Sequence, residues 1–231
     1  MDTVFPPMAP TLAAVTTGQA FPVRRVFCIG ANYAAHAREM GRDPDRDPPF
    51  FFAKWAEDVV AGGSTIAFPP QTAAFHYEAE LVAAIGKGGR DIPAAEAIGH
   101  VFGFAAGLDM TRRDLQFAAR DKGRPWDVAK NFEQAAPLGA IRPIAETGPM
   151  DRGAIRLTLN GEVRQDACVS ELTWSVPELI ATLSRFYRLE AGDIIFTGTP
   201  AGVGPVRPGD SIAVTIEGLP ELRVVIGPPA N

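Results

Sequence analysis

Cysteine is almost missing from this chain. Cys28 and Cys168 are its only two in 231 residues, which leaves neither a disulfide scaffold nor a cysteine-rich zinc site and points to an intracellular protein. A basic excess is missing too: 22 Lys and Arg stand against 27 Asp and Glu, a formal charge of −5, where a nucleic-acid binder would be basic. No apolar run approaches the ~20 residues of a membrane span, since the best candidate, Val101 to Leu108, is bounded by His100 and Asp109. The opening residues Met1 to Pro7 lack the basic segment and apolar core of a secretory signal, so a cytoplasmic location is expected. No serine sits in a Gly-x-Ser-x-Gly elbow and no histidine motif accompanies either cysteine, so covalent nucleophile chemistry has no support.

What the chain does have is 46% apolar residues, with 23 glycines and 21 prolines set between short apolar runs. A sizeable core is within reach, and the punctuation predicts many strands and turns with few helices, an α+β, β-rich class. Residues 1–23 read as an N-terminal arm. A strand is expected at Arg25 to Ile29, then a short helix from Asn32 to Met40 closed by Gly41. The stretch from Gly41 to Pro49, charged and proline-rich, reads as a surface loop able to act as a lid. Phe50 to Lys54 reads as a buried strand and Thr65 to Phe68 as another. Phe75 to Ile85 reads as one strand whose period of two puts Glu78 and Glu80 on the face continued by Val82 and Ala84. Ala94 to Ile98 is expected as a short helix, and Val101 to Leu108 as a strand that delivers Asp109 at its end. A helix over Thr111 to Lys122, a loop from Arg124 to Phe132, a hairpin through Asn160-Gly161, an amphipathic helix over Pro177 to Tyr187 and strands at Asp193 to Phe196 and Ser211 to Ile216 complete the reading.

Glu78, Glu80 and Asp109 carry the strongest chemical signal. Three carboxylates gathered on a partly apolar surface repel one another unless a cation holds them, and oxygen-only ligands favour Mg²⁺ or Mn²⁺. The competing reading is a solvated strand face with an unrelated aspartate. His36 and Glu39, at i and i+3 of a helix, have the spacing of a base oriented by a carboxylate or of an ordinary surface pair. Lys130, after Trp126 and Val128, could neutralise an oxyanion from a walled pocket or lie along the surface. The Gly198 to Gly204 loop lacks the ending of a nucleotide cradle; it reads as a tight connection or as a donor loop with the Thr199 hydroxyl near a ligand. His76 reads as a structural neighbour of the acidic pair rather than a ligand.

The blocks Gly30-x-Asn32-Tyr33-x-x-His36-x-x-Glu39, Phe50-Phe51-Phe52-x-Lys54, His76-Tyr77-Glu78-Ala79-Glu80-Leu81, Leu108-Asp109-Met110-Thr111-x-Arg113-Asp114-x-Gln116, Trp126-x-x-Ala129-Lys130-x-Phe132, Asn160-Gly161-Glu162-x-Arg164-Gln165 and Thr197-Gly198-Thr199-Pro200-x-Gly202-Val203-Gly204 occur in this order. Together they resemble the fumarylacetoacetate hydrolase superfamily, over about residue 24 to the C-terminus. The resemblance implies a rolled mixed β-sheet in a single catalytic domain spanning 24–231, a lid segment near 32–49 and a homodimer. It implies Mg²⁺ or Mn²⁺ on Glu78, Glu80 and Asp109, a His36–Glu39 dyad and Lys130 as catalytic groups, and substrate contacts from Arg113, Gln116 and Thr199. The activity it implies is hydrolysis of a carbon–carbon bond in a 2,4-dioxo acid such as the acylpyruvate fumarylpyruvate, as in gentisate breakdown. Decarboxylation of oxaloacetate or a related 2-oxo diacid is the alternative, as is an oxo-acid-binding homologue without turnover. Two positions depart from the pattern: Ala31 stands where many relatives carry arginine, removing a cation near the lid helix, and Trp55 stands where proline commonly follows the lysine, which would reshape the pocket floor.

Overall fold

The computed structural model describes residues 2–41 and 47–229; of the expected lid loop, residues 42–46 lie outside the described residues. Short runs of β-branched and aromatic residues form strands here because each can bury side chains on a pleated surface. They assemble a mixed, rolled sheet whose path from edge to edge is Phe50–Lys54, Arg25–Gly30, Asp193–Phe196, Ala79–Ile85, Val101–Leu108, Ala136–Leu138 and Val59–Ala61. Asp193–Phe196 runs parallel to Arg25–Gly30 and antiparallel to Ala79–Ile85. A second sheet orders Glu162–Cys168, Ala154–Leu159, Ser211–Ile216, Leu222–Pro229 and Thr65–Phe68.

Ala79–Ile85 is buried along its whole length, and its alternation divides two cores. Leu81, Ala83 and Ile85 face a main core with Ile155, Leu157, Leu179, Leu183 and Val214. Val82 and Ala84 face a smaller one with Val26, Cys28, Ile194 and Phe196. The second sheet is one-sided instead: Ile155 and Leu157 point inward while Arg156 between them stays exposed. Small residues let the central strands pack closely; a Cβ on Gly107 would lie 2.5 Å from Val82 and 2.6 Å from the Phe196 ring.

Val176–Phe186 packs Leu179, Ile180 and Leu183 into the main core. Its first turn holds Pro177, and the Glu178 carboxylate accepts hydrogen bonds from the Ser175 N–H and hydroxyl at 2.9 and 2.8 Å, an arrangement that starts a helix firmly. The Asn160-Gly161 turn, with φ of 53° and 84°, closes the expected hairpin in the left-handed region that these two residues tolerate best. Asn32 fastens the helix Ala34–Glu39 to the sheet. Buried at its position, it donates to the Trp174 and Thr197 carbonyls and accepts from the Trp174 N–H, at 2.8–2.9 Å.

Five local expectations change. The run Phe75 to Ile85 is two strands, Phe75–Tyr77 and Ala79–Ile85, in different sheets, because the chain breaks at Glu78, where the Ala79 N–H is taken by the Gln165 side chain at 2.9 Å. The helix expected from Ala94 is a 3-10 turn over Ala97–His100, shortened by Pro93 and Gly99. The loop after Arg124 contains a one-turn helix, Asp127–Lys130. The arm contains a hairpin, Thr11–Ala14 with Ala20–Val23. Phe50, Phe51 and Phe52 are half-buried rather than buried, because their strand is the sheet edge and lines cavities.

Asn32→Ala would leave buried backbone groups of Trp174 and Thr197 without partners, at about 1–3 kcal/mol for such a loss. The expected fall in unfolding free energy is about 3 kcal/mol, read from urea denaturation, and a change below about 0.5 kcal/mol would mean those groups find other partners.

Candidate active site

The two central strands end side by side, and their ends carry the acids. Asp109 follows Val101–Leu108, its N–H donating to the Glu78 carbonyl at 2.9 Å, while Glu80 lies one residue into Ala79–Ile85. Glu78, Glu80 and Asp109 each offer a carboxylate oxygen within 4.8 Å of the others, and all three are buried. The sequence expectation of a shared face thus survives the strand break.

Buried carboxylates require counter-charge, and it comes from three directions. Lys130, on the one-turn helix, reaches Glu78 Oε2 at 2.8 Å and Asp109 Oδ2 at 2.7 Å. Lys54, at the end of the aromatic strand, places Nζ 2.9 Å from Asp109 Oδ1 and donates to the carbonyls of Met110 and Lys130. Arg113, at the start of the helix Arg113–Arg120, pairs with Glu78 Oε1 and is held by Gln116 Oε1 at 2.5 Å. Burial alone would push Glu78 up, but the charges of Lys130 and Arg113 outweigh it and hold the carboxyl far below its usual range. The Lys130 ammonium would be pushed down by burial; Asp109 and Glu78 raise it instead, so it stays charged. Glu80 has no ion pair among the described residues, only the Gly198 N–H at 2.7 Å. Burial, then the charges of Asp109 and Glu78, push its carboxyl well above the usual range. The cluster is short of positive charge at Glu80, and its donors are all oxygen, so the residues present fit a hard divalent cation.

His36 lines the same small cavity as Glu78, Glu80, Arg113, Gln116, Lys130 and Thr199. Its Nδ1 lies 2.9 Å from Glu39 Oε2, which leaves Nε2 as the basic nitrogen when Nδ1 carries the proton. Glu39 Oε1 accepts from the Gly202 N–H at 3.0 Å, tying the helix to the glycine loop. Burial would raise Glu39, yet the hydrogen bonds from His36 and Gly202 keep its carboxyl below the usual value. Thr199 Oγ1 accepts from Gln165 Nε2 at 2.9 Å, and the same nitrogen donates to the Pro200 carbonyl at 2.7 Å. Gly198 needs its φ of 103°, and a Cβ there would lie 2.7 Å from that of Asn32. His76 stands outside the ligand triad; burial, then the charge of Arg113, pushes its imidazole down to about 4.

The structure therefore gathers all the acids, the dyad, Lys130, Arg113, Gln116 and Thr199 at one place. Lys54 and Gln165 are site residues that motif spacing did not assign a role. A lone lysine ending an aromatic strand was a signal for the first. Gln165 ends one of the motif blocks but lies in a polar strand that reads as solvated, so no role followed from its position. Ala31, at φ 55°, lines the acid cavity, as its motif position implied. Trp55 does not form the pocket floor: its side chain is 56% exposed, and its N–H donates to Asn131 Oδ1 at 2.6 Å, a bond that proline could not make.

Comparison with known proteins agrees with this geometry. Residues 25–226 match the family model described as the fumarylacetoacetate hydrolase C-terminal region. The chain is 47% identical over 191 residues to a fumarylpyruvate hydrolase of Ralstonia sp, covering 82% of this chain and 99% of that one. It is 39% identical over 206 residues to the human mitochondrial oxaloacetate tautomerase, covering 89% of this chain and 93% of that one. The crystal structure of Pseudomonas aeruginosa fumarylpyruvate hydrolase in complex with Mn²⁺ and pyruvate superposes with a TM-score of 0.96 at 52% identity, over 98% of this chain and 99% of that one.

Lys54→Met would remove one of the two cations on Asp109 and leave two buried carbonyls short of a donor. The expected destabilisation is about 3–5 kcal/mol, measured by chemical unfolding; wild-type stability would mean that Lys130 alone balances Asp109.

Proposed function

The chain belongs to the fumarylacetoacetate hydrolase family, and from that membership we propose that it is a divalent-metal-dependent hydrolase that cleaves fumarylpyruvate, a 2,4-dioxo acid, into fumarate and pyruvate. The carrying observation is the buried carboxylate triad facing the His36–Glu39 dyad and Lys130. The likeness to the Ralstonia hydrolase and to the Mn²⁺ and pyruvate complex supports both substrate and metal. Glu78, Glu80 and Asp109 would hold Mg²⁺ or Mn²⁺, which supplies Lewis acidity toward the 2-oxo carboxylate end of the substrate.

The chain's own groups do the rest. His36 Nε2 takes a proton from water, and Glu39 on Nδ1 orients the ring and steadies the charge it gains. The water oxygen attacks the carbonyl at C4, and the Lys130 ammonium donates to the oxyanion that forms. The bond between C3 and C4 then breaks, its electron pair stays on the pyruvate half, and a proton returned to C3 completes pyruvate while the acyl half leaves as fumarate. Arg113, Gln116 and Thr199 line the cavity as donors that position the acid. With this reading go a homodimer, a cytoplasmic location, an N-terminal arm of 1–23 and a catalytic unit of 24–231. Among the described residues no helix is long and apolar enough to cross a membrane.

The likeness to an oxaloacetate tautomerase favours a second reading, enolisation or decarboxylation of oxaloacetate, in which the same groups stabilise an enolate and no water attacks. The test is pyruvate release from fumarylpyruvate and loss of oxaloacetate by the purified protein, with Mn²⁺ and after chelation. Chelator-sensitive release from fumarylpyruvate is expected, and His36→Ala is expected to lower kcat by about 10²–10⁴ with metal binding intact. Oxaloacetate turnover without fumarylpyruvate turnover would replace the first reading with the second.

Metal affinity is expected to rise with pH. Because Glu80 is held above the ordinary carboxylate value of about 4.3, a proton competes with the cation below that raised pKa. Affinity should increase by up to about tenfold per pH unit for each proton displaced and level off above it. Calorimetry of Mn²⁺ binding in two buffers of different ionisation heat measures the proton released, and none released near neutral pH would mean that Glu80 is already ionised.

A further inference from the structure

The acid cavity is small, about 40 Å³, where a single water-sized group needs ~10–15 Å³ on the same measure. A seven-carbon dioxo acid does not lie wholly within it. A second cavity of about 470 Å³ adjoins it, and the two share Phe50, Phe52, Trp126 and Lys130 as lining residues. Lys130 is thus the inner end of the larger space as well as a member of the charge cluster, with Nζ 5.1 Å from the Phe52 ring centroid. The walls are flat and mutually braced. Trp126 meets Phe50 edge-on at 5.4 Å between centroids and 81°, and meets Phe52 at 5.7 Å and 61°. Such walls suit a planar, conjugated chain.

Arg124 stands on the same lining. Its backbone N–H is fixed to the Ala119 carbonyl at 2.8 Å, but its guanidinium makes no hydrogen bond or ion pair among the described residues, and none within 4.0 Å to Asp127, the acid on that lining. The other cations nearby are engaged: Arg113 and Lys130 by the buried acids, Arg120 by Asp121 at 3.2 Å. We propose that the larger cavity takes the acyl arm of the substrate and that Arg124 pairs with a terminal carboxylate on that arm, selecting dicarboxylic over monocarboxylic 2,4-dioxo acids. This rests on the dioxo-acid reading above for the site's head group and adds what lies beyond the scissile bond.

Binding separates this inference from turnover. The probes are 2-oxoheptanedioate and 2-oxoheptanoate, which share the head group and length, lack the 4-oxo group and differ in the terminal carboxylate. Calorimetry on the Mn²⁺-loaded protein should show the dioate bound about tenfold to a hundredfold more tightly, the range of a charge-assisted guanidinium–carboxylate contact. Arg124→Met should bring that ratio close to one while leaving 2-oxoheptanoate affinity unchanged, and Arg124→Lys should keep part of it. Equal affinities in the wild type would overturn the proposal, as would a preference that survives in Arg124→Met or falls only in Arg120→Met. A dioate preference that depends on Arg124 in a protein that leaves fumarylpyruvate intact would uphold the inference and defeat the hydrolase reading alone.

Discussion

Everything in this protein turns on keeping three carboxylates away from water without letting them drive one another apart. Unpaired charge in an interior costs several kcal/mol per group, so each acid is met by something drawn from a different part of the chain. Lys130 bridges Glu78 and Asp109, Lys54 takes the other oxygen of Asp109, Arg113 takes the other oxygen of Glu78, and the Gly198 N–H reaches Glu80. The edge strand, the one-turn helix, the helix after Thr111 and the glycine loop therefore converge on one point. The cluster is a constraint on the fold as much as a chemical device. Glu80, met among the described residues by a neutral donor alone, is where the charge balance is left open for a cation.

The surrounding structure makes that convergence rigid. Ala79–Ile85 is buried on both faces because it separates two cores, and glycine and alanine in the neighbouring strand allow the close approach this requires. Gln165 then links the layers. From the second sheet it accepts the Ala79 N–H at the strand break and donates to Thr199 and Pro200, so the register of a distant hairpin sets the position of the loop that carries Thr199. A strand break of this kind at a functional residue is where local regularity yields to the site.

The dyad is held less tightly than the triad. Glu39 is partly exposed, with a side chain 32% accessible, and its two oxygens connect a six-residue helix to the Gly202 loop. A histidine on a six-residue helix, tied down through one carboxylate, is held by fewer contacts than the acids are. Phe50, Phe52 and Trp126 line both the small acid cavity and the wider one beside it, so a single aromatic wall serves the two spaces.

The β-rich class, the acidic pair at a strand spacing of two, the aspartate ending an apolar strand and the His36–Glu39 interval were legible in the sequence, because each depends on neighbours along the chain. The turn at Asn160-Gly161 belongs with them. The roles of Lys54, Gln165 and Asn32 were not, since their partners lie 34 to 165 positions away, separations that no local period encodes; Lys54 and Asp109 meet only in the folded chain. The break at Glu78 was equally invisible, being made by a side chain from another sheet. By itself the sequence determined most of the short segments that form strands and singled out the acids, the histidine and Lys130 that the fold gathers; only the tertiary structure decided which cation meets which acid and which cavity lies beyond Lys130, because charge pairing and enclosed space are properties of segments brought together and not of any one of them.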